Sequence, residues 1–401
     1  MRDIQINLLA VMRYEIDDSS GLMATPGLVD LHVHYREPGN NPSETIESGT
    51  HAAAVGGFVF TADMSNNPGN PTWTPQALLE KHAIAEATAW IPGTFNSGAN
   101  PENPDVSMIE EMAYMSLLFK LYGGPTTGNI KDWPAQIFRR HVREWHGYAP
   151  DQPIGFHPGK TNLEDMIGEV AHDLRHPLIV HHVENTSQVA LVTRAKKEGL
   201  PVTCAVTPQQ LVKTEHDTRS EGWFARLQPP LTDAVQARRL TNLLDRGYID
   251  YIESDHAPHL PTSKIRAEEI NPEANPPSEG DQPGSTCYGF PGIEFSASQM
   301  FYMASRGFIS MERVVDAMSV RPAEALGIEL SQDTKVVWDM ELHRIKDEDV
   351  VSGAGWTPFA GKLALGKAKT VTISGVDVYS TDPEVETVHD PRVITQRGSV
   401  I

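Results

Sequence analysis

Alternation of strand-like and helix-like segments is the feature that most constrains this chain. Short runs rich in β-branched and aromatic residues include GLVDLHVH, GFVFTADM, SLLFKLY, PIGFH, PLIVHH, LPVTCAV and IDYIESDH. Longer stretches with helical character lie between them, such as SETIESGTHAAAVGG, TPQALLEKHAIAEATA and NTSQVALVTRAKKEG, several closing on Gly as a helix C-terminus often does. Alternation sustained over about 300 residues predicts a parallel sheet with helical crossovers. The length favours a closed (β/α)8 TIM barrel, with an open doubly wound sheet as the alternative. No GxGxxG follows the first run, which argues against a dinucleotide-binding fold.

After about Ala325 the pattern changes. TKVVWDMELHRI, KLALGKAKTVTISGVDVYS and HDPRVITQRGSV read as short strands broken by Gly, Asp and Pro. Residues 345–401, joined by residues 1–25, are therefore expected to form a small β module beside a barrel of residues 26–344. Between Leu260 and Cys287 the sequence is Pro-rich and polar and reads as a long surface loop.

Composition excludes several function classes. Of 401 residues, 39% are hydrophobic, enough for a large single-core barrel or two domains. The 53 acidic against 33 basic residues give a net charge of -20, which would repel a phosphate backbone, and no basic block offsets it. Nucleic-acid binding is not expected. Cys204 and Cys287 are far apart and form no CxxC, so neither a disulfide framework nor a thiolate zinc site is indicated. No apolar stretch approaches the roughly 20 residues of a spanning helix. A soluble, cytoplasmic protein without membrane contact is the expectation.

In a barrel of this kind chemistry gathers at the C-terminal ends of the strands. His32 and His34 end the first run, and period-two alternation puts both on one face, as a shared metal needs. Lys120 lies inside SLLFKLY, where a bare buried ammonium would be costly. His157 closes PIGFH, His181 and His182 close PLIVHH, and Asp255 follows IDYIES. On a regular strand one member of the His181–His182 doublet must point away from the other. Each residue alone has a bland alternative: a satisfied core histidine, a snorkelling lysine, a helix-capping aspartate. Their recurrence at five strand ends instead suggests a two-metal site. His141 and His146 fall on one helix at a spacing poor for a shared metal, and His172, His176 and His216 fall in charged segments expected to be exposed.

DLHVHYREPG, FKLYGG, IVHHV, PVTCAVTPQQL, ESDHAPH and GFPGIE stand in the order and approximate spacing of the dihydroorotases, enzymes of the amidohydrolase superfamily that act in pyrimidine synthesis. The chain resembles that family over Pro26 to Ala368, and most the class containing the dihydroorotase domain of the animal multifunctional pyrimidine protein and many bacterial enzymes. The resemblance implies reversible cyclisation of N-carbamoyl-L-aspartate to L-dihydroorotate. It implies that His32, His34 and Asp255 hold one divalent metal, His157 and His182 a second, zinc being the expected ion. Lys120 would carry a CO2-derived carbamate bridging the two, and Asp255 would be the general acid and base. Arg36, Asn66 and His259 match residues that contact the substrate carboxylate. Gln228 and Gly289 match positions against the ring, and Thr126 and Thr127 match a loop that closes on substrate.

This chain has FHPGK where the family usually has HAE or HxED, and TPQQ where relatives often have a His-rich pair. Two other readings stand beside dihydroorotase. A dihydropyrimidinase, hydantoinase or allantoinase would share the metal cluster, but an uncharged ring has no use for the Arg36 clamp. An inactive dihydroorotase-like scaffold contacting aspartate transcarbamoylase would have lost metal ligands, and every expected ligand type is present here. A homodimer is common among relatives.

Overall fold

The computed structural model describes residues 14–17, 20–39, 41, 43–100, 102–124, 135–159, 163–270 and 287–401. Parallel strands and helices alternate through most of it, as the sequence pattern predicts. The strands are β1 (Glu15–Asp17), β2 (Leu22–Pro26), β3 (Leu28–Val33), β4 (Phe58–Asp63), β5 (Gly93–Phe95), β6 (Ser97–Gly98) and β7 (Phe119–Tyr122), continuing with β8 (Ile154–His157), β9 (Leu178–Val180), β10 (Val202–Val206) and β11 (Tyr251–Ile252). The C-terminal part adds β12 (Lys335–Arg344), β13 (Leu363–Ile373) and β14 (Val376–Ser380).

The parallel strands form two arcs, β3-β4-β5 and β6-β7-β8-β9-β10-β11. β5 and β6 are separated only by Asn96, whose backbone N–H donates to Asp63 O at 2.9 Å. At the other side Val33 bridges His256 in parallel, and the His34 N–H donates to His256 O at 2.8 Å. Every residue of β3 and β4 is buried, which is why these runs show little polar alternation.

The crossover helices begin where their caps dictate. Thr45 and Ser48 form a reciprocal capping box at the start of helix Ile46–Val55. Thr74 caps helix Pro75–Thr88, with Pro75 in the first turn, and Asn185 caps helix Thr186–Lys197.

A second sheet, β1-β2-β12-β13-β14, is antiparallel and joins residues from both ends of the described chain. Trp338 of β12 fastens it to the parallel arcs. Its ring is buried, donates Nε1–H to Thr25 Oγ1 at 2.9 Å and packs edge-on against Phe301. Gly57 makes room for that ring: a Cβ there would lie 2.2 Å from the indole, and its φ of 81° favours glycine in any case.

Three local expectations are revised. The stretch read as a loop after Leu260 contains a helix, Pro261–Ile270, with Lys264 and Ala267 buried, while residues 271–286 lie outside the described residues. HDPRVITQRGSV leaves the antiparallel sheet: Arg392 O accepts the Gly93 N–H and Ile394 N–H donates to Gly93 O, so this tail runs beside β5. His176, placed by its charged surroundings at the surface, is fully buried, with Nδ1 3.1 Å from His146 Nδ1.

Candidate metal centre

The strand ends bring together side chains that the sequence scatters over more than two hundred positions. His32 and His34 come from the end of β3, and both Nε2 atoms face Asp255 Oδ1, at 3.5 and 3.3 Å. Two ligands bound tetrahedrally to one ion at 2.0–2.1 Å sit about 3.3 Å apart. The spacing of these three residues therefore fits a shared cation, and they form one of two groups able to hold one among the described residues.

His157, ending β8, places Nδ1 2.9 Å from Nε2 of His182. The two rings meet edge to face, and the His182 ring also lies 5.2 Å from that of His32. His182 and Asp255 both have left-handed backbones, with φ of 33° and 44°. Non-glycine residues rarely adopt this conformation, and its cost is borne where surrounding structure fixes it. The same twist answers the doublet question. β9 ends at Val180, so strict strand alternation no longer applies at His181 and His182. Their rings part, His182 to His157 and His181 to Glu253, but both are buried and both border His32.

Lys120, on β7, is completely buried, and its Nζ has no hydrogen-bond partner among the described residues. Burial lowers its pKa to about 7, against the opposing pull of Glu253 and Asp255. Burial likewise holds His32, His34 and His182 well below the usual imidazole range and brings His157 to about 3. The imidazoles are therefore neutral at pH 7, the form that donates a lone pair to a metal. Nδ1 of His34, Nε2 of His157 and Nδ1 of His182 lack hydrogen-bond partners among the described residues. Buried polar atoms are seldom left so without a functional reason.

Arg36 is buried beside this cluster, with φ of 58°. Its Nε–H donates to Pro258 O at 3.3 Å, while Nη2 has no partner among the described residues. Burial brings its pKa down to about 10, leaving it cationic at neutral pH. The following residue but one beyond Pro258's neighbour His259 is Pro261, where the helix bearing Lys264 starts. His259 is buried, with Nε2 3.2 Å from Tyr288 O and its carbonyl accepting Trp356 Nε1–H at 2.8 Å. Asn66 is buried after β4, next to Asn67, which donates to the carbonyls of Glu37 and Pro38. Gln228 is half-buried, and its Oε1 has no partner among the described residues. Gly289 has φ of 131°, and a Cβ there would lie 2.6 Å from that of Ala257, so only glycine fits. Thr126 and Thr127 lie outside the described residues.

Glu253 is a central residue that the sequence reading passed over. It follows β11, is fully buried and contacts His32, His181 and the backbone of His182. Burial raises its pKa to about 8. An acid inside the apolar run IDYIES, two residues before Asp255, was the available signal.

Residues 21–90 match the family model described as dihydro-orotase-like. A dihydroorotase of Lactobacillus acidophilus is 29% identical over 399 residues, covering 90% of this chain and 89% of the relative. The chain is similar to dihydroorotases over most of its length. It is also 29% identical over 373 residues to the multifunctional protein CAD of Squalus acanthias, covering 92% of this chain but spanning only 15% of that much longer relative. The solved L-hydantoinase (dihydropyrimidinase) of Arthrobacter aurescens superposes with a TM-score of 0.74 at 23% identity, over 91% of this chain and 86% of the other, so the two share a fold.

Proposed function

We propose that this chain is a metal-dependent cyclic amidase that interconverts L-dihydroorotate and N-carbamoyl-L-aspartate. The observation that carries this reading is the meeting of His32, His34 and Asp255 at ligand spacing beside a buried, partly unpaired Arg36. The two parallel arcs are read as the walls of one (β/α)8 barrel, with the antiparallel sheet as a separate module. The site then lies at the C-terminal face, where βα loops assemble chemistry.

His32, His34 and Asp255 would hold one divalent ion, and His157 and His182 a second, with zinc the expected metal. The 2.9 Å between the latter pair would open by a few tenths of an ångström to admit it. Such ions supply Lewis-acid polarisation of a carbonyl and a water of lowered pKa. Lys120 suits carboxylation. With its pKa near 7 a large fraction is free amine, whose lone pair attacks CO2, forming a carbamate and releasing one proton. The product replaces an unpaired buried cation with an anion, which removes the burial cost unless cations are absent.

Arg36 binds the substrate carboxylate, since a planar guanidinium can pair with it through two parallel hydrogen bonds. Asn66 and His259 complete that clamp, and Gln228 and the Gly289 backbone contact the ring. Asp255 accepts a proton from the attacking water and delivers it to the ring nitrogen as the amide C–N bond breaks. Ring closure runs the same steps in reverse. The test is turnover of L-dihydroorotate with hydantoin, dihydrouracil and allantoin in parallel. Turnover confined to dihydroorotate supports the carboxylate clamp, and turnover of an uncharged ring instead discards the substrate assignment.

A further inference from the structure

Beneath the proposed ligands lies a carboxyl group that the chemistry above does not use. Glu253 is fully buried, and its two oxygens serve three groups from two other strands. Oε1 accepts the His182 backbone N–H at 2.7 Å and lies 3.4 Å from His32 Nδ1. Oε2 lies 2.7 Å from His181 Nδ1. His181 fits there because residue 155 is glycine: a Cβ on Gly155 would lie 2.5 Å from His181 Nε2. This arrangement gives one side chain a hold on both halves of the site.

An imidazole that donates one ring N–H to a carboxyl oxygen has its other nitrogen fixed as the lone-pair donor. For His32 that other nitrogen is Nε2, the atom facing Asp255. Glu253 also holds the backbone of His182 at its left-handed turn, from which the ring reaches His157.

We propose that Glu253 is a positioning residue that fixes the His32 tautomer and the His182 backbone, and so sets the affinity of the site for both of its ions. This inference rests on the metal reading above. Replacing Glu253 by Leu keeps much of the bulk but removes both oxygens, and with them the acceptor for His32 Nδ1–H and the His182 N–H. Loss of such an outer partner lowers metal affinity by about 10–100-fold.

The experiment is a zinc titration of the chelator-stripped full chain against a chromophoric competitor, for the unmodified protein, Glu253→Leu and His181→Asn, with circular dichroism to verify folding. Two sites in the unmodified protein, weakened about 10–100-fold in Glu253→Leu but within about threefold in His181→Asn, is the expected result. Two sites of unchanged affinity in a folded Glu253→Leu overturn the positioning role while leaving the metal reading intact, and equal weakening in His181→Asn overturns it in favour of His32, His181 and Glu253 as a ligand set of their own. Absence of any zinc binding by the unmodified protein overturns both. A second readout that needs no variant is 15N NMR of the metal-free unmodified protein: His32 is expected to carry its proton on Nδ1, and a proton on Nε2 overturns the inference.

Discussion

Replacing Lys81 by Met removes one half of an ion pair that is sealed from solvent. Lys81, on helix Pro75–Thr88, and Asp63, at the end of β4, are 0% and 1% exposed and paired through Nζ and Oδ2. Burial pushes the Asp63 carboxyl up and the Lys81 ammonium down, so each charge depends on the other to persist. Deleting one partner of such a pair costs about 3–5 kcal/mol, because the remaining charge stays buried. The loss also reaches the substrate clamp. Asp63 Oδ1 accepts the Tyr35 N–H at 2.7 Å, and Lys81 holds Asn67, whose amide binds the Glu37 and Pro38 carbonyls. Both neighbours of Arg36 are thus anchored through this pair. Urea unfolding should show Lys81→Met destabilised by about 3–5 kcal/mol, with Lys81→Met/Asp63→Asn recovering part of it. In the surviving folded protein KM for dihydroorotate should rise more than kcat falls. A loss below about 1 kcal/mol, in the range of exposed pairs, would show that burial does not make these two charges depend on each other.

Other perturbations have equally definite outcomes. Arg36→Ala should raise KM for dihydroorotate by about 10–100-fold, the worth of a lost charge-assisted hydrogen bond, as read from steady-state kinetics. Asp255→Asn should lower kcat by about 10²–10⁴-fold in a protein whose circular dichroism is unchanged. Lys264 is fully buried, and burial lowers its pKa to about 7 from an ordinary 10.5. Below pH 7 it is charged in both folded and unfolded chains and its full burial cost is felt. Between pH 7 and 10.5 the unfolded chain binds more protons, so stability rises with pH. The stabilisation of Lys264→Met relative to the unmodified protein should therefore be largest at or below pH 7 and shrink towards pH 10.5 in thermal melts.

The alternation of β-branched runs and capped helices made the parallel arcs legible, because a strand buried on both faces and an amphipathic crossover leave different periodicities. The grouping of His32, His34 and Asp255 was legible through recurrence: each alone has a bland alternative, but polar residues ending one apolar run after another point to a shared site. What stayed hidden depends on partners distant in sequence. Glu253 reads as one more acid near a strand end until His32, 221 residues away, and His181, 72 residues away, are seen against it. Strand alternation could not resolve the His181–His182 doublet, because β9 ends at Val180 and His182 turns left-handed. His176 shows that charged neighbours do not report the exposure of the residue between them. Helix Pro261–Ile270 was masked by the Pro-rich stretch after it, and its fully buried Lys264, donating to Cys287 O, has no sequence signature.

The most direct test of metal-dependent amidase chemistry is the rate of L-dihydroorotate ring opening by chelator-stripped protein as zinc is added back with bicarbonate present. The expected result is no turnover without metal and a rate that climbs to a plateau near two equivalents per chain. A stripped protein that turns over at the full rate, or a zinc-loaded one that never does, would contradict it.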